Sequence, residues 1–272
     1  MTNFSISWLN GISTLLLICV AFFLVIDSTY YYIKLKNKTY LGGILLFGSI
    51  GVGWLGITLS FLAVEFTGTT PNWIEFLIPF FSYSTLPIGC FAIVYIVWEL
   101  VASTKTRKNI LIIYILLGIT YYLIFFLSLY FIEGLVRFHD VYGEVMDDWA
   151  APGTLFYFSI WIFTTITSTF TLIGFGKMRQ KTAGELKARS TVLMISSPIF
   201  ALCILADTVI LGSLIHDHYN YLFIVRLLMM LSLYMIMIGF RPTSLKPTIL
   251  SIPVLITIFI IFGFFIGLEN GV

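Results

Sequence analysis

The chain has 272 residues, of which 59% are hydrophobic, 17% aromatic and only 10% charged. Soluble domains carry about 25% charged residues, so this composition excludes a water-soluble fold, which would have to expose large apolar patches. A formal net charge of +2 also excludes the electrostatic footprint of a nucleic-acid-binding protein. What remains is an all-α polytopic transmembrane bundle, because only helices and closed barrels satisfy their backbones in lipid.

A bilayer core takes about 20 mostly apolar residues per helix. The N-terminal MTNFSISWLN lacks the basic segment and the small-residue cleavage site of a signal peptide, and the apolar run behind it has full span length. It therefore counts as the first helix. Breaks at charged or Pro/Gly/Asn clusters predict eight helices, seven plus one, in a single domain over 1–272: residues 8–33, 40–66, 73–102, 110–132, 154–175, 191–215, 221–240 and 248–268. Pro79 and Pro87 in the third, Pro198 in the sixth and Pro253 in the eighth each remove a ladder hydrogen bond and predict kinks.

Basic residues fall in alternate turns: Lys34, Lys36, Lys38; Lys105, Arg107, Lys108; Lys177, Arg179, Lys181, Lys187, Arg189; Arg241, Lys246. These are thirteen of the fifteen lysines and arginines, and the positive-inside rule makes their side cytoplasmic. Both termini are then expected outside a cell membrane. Tyr30, Tyr31 and Tyr32 read as an interfacial aromatic anchor at the inner end of the first helix. The long outer loop is acidic, with Glu133, Asp140, Glu144, Asp147 and Asp148 around Trp149, and amphipathic packing across the mouth of the bundle is one arrangement for it. KLKNKT after the first span and KMRQKT after the fifth match in pattern, at equivalent places in two four-helix halves. They read either as a remnant of duplication or as the general likeness of basic inner turns.

Several residues could carry chemistry. Gly42, Ser49, Gly53, Gly56, Ser60 and Ala63 share one stripe of the second span, and small residues on one face admit a neighbouring backbone closely. Asp207 and Arg226 lie within the sixth and seventh spans, where each charge costs about 2.5–3.5 kcal/mol even on the lenient insertion scale. Counted from the ends of their helices, both sit roughly 8–12 Å below the outer boundary, so an ion pair is expected. It is either a structural clasp or part of a ligand or ion site. Asp27 and Glu99 share a depth near the inner boundary. If they face one another, repulsion raises one pKa, as proton handling requires; otherwise each reaches an inner base, Arg241 being the natural one for Asp27. The hydroxyls Ser159, Thr164, Thr165, Thr167, Ser168, Thr169 and Thr171 of the fifth span either bond back to their own helix or line a cavity.

His216 and His218 form an H-x-H in an outer loop, a weak metal candidate against the reading of a solvated turn. Cys19, Cys90 and Cys203 sit singly in apolar runs and read as buried small hydrophobes. No HExxH, GxSxG, Walker loop or intramembrane-protease motif occurs, and no enzymatic activity or cofactor is expected. With no lysine inside any span, a retinal Schiff base is excluded too.

An outside N-terminus, short basic inner loops and a seventh helix closing in IGFRP resemble the seven-transmembrane sensory regions at the N-termini of some prokaryotic, especially archaeal, histidine kinases. The resemblance covers roughly residues 1–246 and is one of pattern; no family site transfers residue by residue. It implies a sensory or receptor-like bundle that binds a small ligand from the outer face. Because an eighth helix follows and no cytoplasmic output domain does, it further implies signalling through a separate partner. The expected partners are the lipid bilayer, a cytoplasmic signalling protein at 176–190 and a second copy of the chain, with no nucleic acid. A small-solute or proton-coupled transporter is the alternative, with a lipid-acting enzyme and a structural subunit behind it.

The orientation is testable with one cysteine. Lys181→Cys in an otherwise cysteine-free chain should react with a membrane-impermeant maleimide only after cells are permeabilised; labelling of intact cells would invert the topology.

Overall fold

A computed structural model describes residues 2–131, 136–141, 145–210 and 219–242. Nine α-helices occur among them: α1 (Thr2–Leu35), α2 (Lys38–Gly53), α3 (Leu55–Thr67), α4 (Asn72–Ser84), α5 (Leu86–Val101), α6 (Thr104–Phe131), α7 (Leu155–Lys181), α8 (Gly184–Leu205) and α9 (Tyr219–Phe240). A π-helical turn, Ala206–Ile210, continues α8. Six helical segments are long and apolar enough to cross a membrane, and α2 with α3, bent by 40°, makes a seventh if the pair is one span. The chain is thus a multi-pass helical bundle by the length and composition of its helices. The expected eighth helix, 248–268, lies outside the described residues.

The packing order explains the shape. Helix α1 packs on α2, α2 on α5, α5 on α7, α7 on α8, α8 on α9, and α9 returns to α1. These helices close a ring, and α6 stands outside it against α5 and α7. The position of α6 follows from its surface: Ile112, Ile113, Ile115, Leu116, Ile119, Leu123 and Leu127 are all exposed, as an apolar helix facing acyl chains should be. Cys19 on α1 is likewise exposed, while Cys90 and Cys203 are buried. The expectation of three buried thiols is corrected for Cys19, whose weak polarity permits contact with lipid.

The small-residue stripe faces the third span. A Cβ at Gly42 would meet Ile96 at 2.6 Å, and one at Gly56 would lie 2.6 Å from the backbone Cα of Ile78. Ser49 approaches Gly89 closely, Ser60 shares a 3.0 Å hydroxyl contact with Thr70, and Ala63 packs half-buried on the core. Such small side chains let dispersion and backbone contacts hold helices together where no hydrophobic drive exists between them.

Three features differ from the sequence expectations. The second span is broken at Trp54, whose φ of −92° and ψ of 4° leave the helical region. The run GVGWLG supplies three glycines in six residues, so the helix is weakest there. The third span breaks at Thr85, between the two expected kinks, because Pro87 falls in the first turn of α5, where its missing N–H costs nothing. Pro79 and Pro198 remain inside continuous helices. The basic loops also shrink to turns: α6 starts at Thr104, α7 runs to Lys181 and α8 starts at Gly184. Lysine and arginine are good helix formers and complement a helix C-terminus, so GKMRQKTAGELKARS forms two helix ends around a tight turn.

The long acidic loop is not helical. Its backbone forms an antiparallel hairpin of β1 (Val136–Val141) and β2 (Val145–Ala150), with Val136 opposite Ala150 and Arg137 opposite Trp149. Strand β2 lies against α3, α4 and the π-helical turn, and Ala150 is fully buried. The hairpin therefore lies across the end of the bundle opposite the basic turns.

Two glycines provide a test of the packing. Gly56→Ala, pressed against fixed backbone, should cost about 1–3 kcal/mol and lower the melting temperature of the detergent-purified protein. Gly176→Ala, with nothing within 4 Å of its Cβ, should not lower it.

Candidate functional site

Arg226 and Asp207 meet in the interior. Arg226 Nε donates to Asp207 Oδ1 at 3.1 Å, with the two side chains 1% and 5% exposed. The second carboxylate oxygen accepts a 3.0 Å hydrogen bond from the indole N–H of Trp54. Arg226 Nη1 donates to the backbone carbonyl of Asn10 at 3.3 Å. Buried ions are tolerated when geometry and extra hydrogen bonds offset their lost hydration, and here donors from two directions meet the carboxylate. The clasp joins α1, the bend between α2 and α3, the turn after α8, and α9.

Each break in a helix serves this arrangement. The bend at Trp54 carries the indole onto Asp207. The π-helical turn holds Asp207, and such wider turns inside helices recur at functional sites. The third break is adjacent: a Cβ on Gly53 would lie 3.0 Å from the Thr85 hydroxyl. Interruptions in three spans therefore converge.

They converge on a partly open cavity of about 80 Å³. Leu46, Ser49, Ile50, Gly53 and Trp54 line it from the second span, and Thr85, Gly89, Cys90 and Ile93 from the third. Thr164, Thr167, Ser168 and Thr171 of α7 face Ser197, Phe200, Ala201 and Ile204 of α8, with Asp207 and Thr208 at one end. Both readings of the α7 hydroxyls hold for different residues. Thr167 and Thr171 line the cavity while donating to Phe163 O at 2.8 Å and Ser168 O at 2.9 Å. Ser159 and Thr169 bond back to their own helix, and Thr164 does not.

Asp27 and Glu99 are not brought together: of the two readings, the one in which each reaches a base holds, with Arg241 on Asp27 as expected. Asp27 Oδ2 accepts from Arg241 Nε at 2.9 Å, and Glu99 accepts from Arg107. Each carboxylate lies on its own helix within reach of a base at the basic end. Burial opposes the charge on Arg241, but the hydrogen bond and attraction of Asp27 outweigh it and raise its pKa. Neither carboxylate lines the central cavity.

The same end is secured by Arg189, which donates to Glu185 at 2.9 Å and to the carbonyl of Arg241. Tyr40 donates to Phe240 O at 3.0 Å, Tyr31 stacks on Tyr40 at 5.5 Å, and Lys34 lies over the Tyr30 ring. His216 and His218 lie outside the described residues. Among the described residues no three His, Cys, Asp or Glu side chains gather as a metal site would need.

Sequence reasoning missed Trp54 and the break at Thr85. Tryptophan counts as apolar in any composition, so its N–H goes unseen; the glycines beside it are the one signal that could have flagged it. No protein-family model matches the chain, and comparison with curated proteins finds no relative.

Removing one member of the clasp should be costly. Arg226→Met or Asp207→Leu alone should destabilise by about 3–5 kcal/mol by stranding a buried charge, whereas the double variant should cost much less than the sum. Trp54→Phe, which deletes one donor, should cost about 1–3 kcal/mol. Thermal unfolding in detergent measures all four, and strict additivity would show that the pair is not coupled.

Proposed function

We propose that this protein is a receptor-like sensory bundle of the cell membrane that holds a small ligand in its central cavity and signals through a separate cytoplasmic partner at 176–190. One observation supports this above others: a partly open cavity lies between the second and third spans, α7 and α8, with the carboxylate in its lining neutralised by Arg226 and Trp54. Largely preformed apolar cavities with a few polar groups are the usual form of small-ligand sites. In this reading the hairpin lies at the extracytoplasmic end, the termini are outside, and the helix ends at Lys181 and Gly184 offer the partner its surface.

A transporter is the second reading. One span bent by 40° and irregular turns in two others meet at the cavity, which favours comparison with the discontinuous helices of transporter binding sites. Its proton-coupled form is less favoured, since Asp27 and Glu99 are occupied by separate arginines away from the cavity.

Proteoliposomes separate the two. A pH gradient imposed across vesicles holding the purified protein should decay no faster than across protein-free vesicles. Proton flux above that background, abolished by Asp27→Asn, would replace the sensory reading with the transport one.

A further inference from the structure

We propose that the central cavity takes an uncharged, small, mostly apolar molecule bearing a hydroxyl or carbonyl oxygen, which the hydroxyls of Thr164 and Ser197 bind. The proposal rests on the ligand-site reading of this cavity and names the ligand class. Its starting point is an imbalance among the polar side chains of the lining. Ser49, Thr85, Thr167, Thr171 and Thr208 each donate to a carbonyl three or four residues back, at 2.8 to 3.0 Å. That bond is open to any serine or threonine on a helix. Thr164 and Ser197, only 2% and 7% exposed, have no partner for their oxygens. They stand on α7 and α8, which pack directly on one another, and both line the cavity. Buried hydroxyls in native proteins are normally satisfied, so two idle ones on neighbouring walls mark where a ligand's polar group sits.

Charge and shape define the rest of the molecule. Asp207 is already met by Arg226 and Trp54, so a charged guest would bring an uncompensated charge into a low-dielectric interior. The lining of α7 runs from Ile160 to Thr171, about 16 Å along a helix axis. A volume of about 80 Å³, about half that of a cavity that takes benzene, admits a guest of a few heavy atoms and no ring system. Leu46, Ile50, Ile57, Ile93, Phe200 and Ile204 form much of its wall. Water needs two to four polar partners to settle, and this wall offers few.

The test uses full-length protein in lipid nanodiscs and a butanol carrying a photoactivatable diazirine. Saturable crosslinking to α7 and α8 is expected. It should fall about fivefold in affinity for each net hydrogen bond removed by Thr164→Val or Ser197→Ala, and persist in Thr164→Ser, which keeps the hydroxyl. Equal labelling of the wild type and the Thr164→Val, Ser197→Ala double variant would overturn the role of these hydroxyls. Equal crosslinking by the same chain ending in trimethylammonium would overturn the ligand class while leaving the cavity as a site. Labelling confined to outward-facing residues of α6 would overturn the ligand site itself.

Discussion

The requirement to neutralise Asp207 and Arg226 inside an apolar bundle organises the structure around them. In water an ion pair of this kind contributes little. Surrounded by hydrocarbon and buried side chains, either ion alone is costly, and the pair survives only if each remaining polar atom finds a partner. Asp207 needs donors on both oxygens, and they come from different elements, Arg226 of α9 and Trp54 at the head of α3. Arg226 in turn needs acceptors beyond the carboxylate, and the carbonyl of Asn10 on α1 is one. Four segments are thereby held to one point, and the interruption of α8 by a π-helical turn is the local conformation in which that point is reached.

The central cavity follows from the same constraint. A straight second span could pack along its whole length against the third through its small-residue stripe. Bending at Trp54 divides the stripe: Gly42 and Ser49 close on α5, while Gly56 closes on α4. Between the two contacts Gly53 faces Thr85, and the helical run of both spans is interrupted there. A tightly packed interior has few voids larger than a water, so a slot lined by eleven residues' length of α7 is a property of this arrangement and not a packing accident of one residue.

How much of this was legible depended on whether a residue's cost showed in its type. Asp207 and Arg226 stood out because charges in apolar runs are rare and expensive, and Gly42 through Ala63 because small residues at helical spacing are a packing signal. The breaks were not legible in the same way. Proline marks a helix by composition, yet Pro198 lies in an unbroken helix and Pro87 sits where a helix begins, so the consequence depends on register. Trp54 looked like one more apolar residue. The hairpin was missed because a loop between spans invites no strand reading, although the partial alternation in VRFHDV was visible; β2 lies against α3, α4 and the turn at Asp207, and β1 pairs with β2. Asp27 and Glu99 share a depth along the bundle, but depth says nothing of azimuth, and their ring positions on α1 and α5 assign each a different arginine.

The two ends of the bundle are secured by different physics, and this bears on which end can move. At the Asp207 end the ion pair is buried, and separating it strands two charges in a poorly solvating medium. At the basic end the pairs Asp27–Arg241 and Glu99–Arg107 are partly exposed, with side chains about a fifth to a quarter accessible. Water can replace each partner there, and pairs of that kind are worth about 0–1 kcal/mol. The pairs of Arg241 and Arg107 therefore resist separation less than the clasp does. The end beneath the hairpin is thus the more rigid one, and the exposed pairs at the basic end are the contacts that yield more readily.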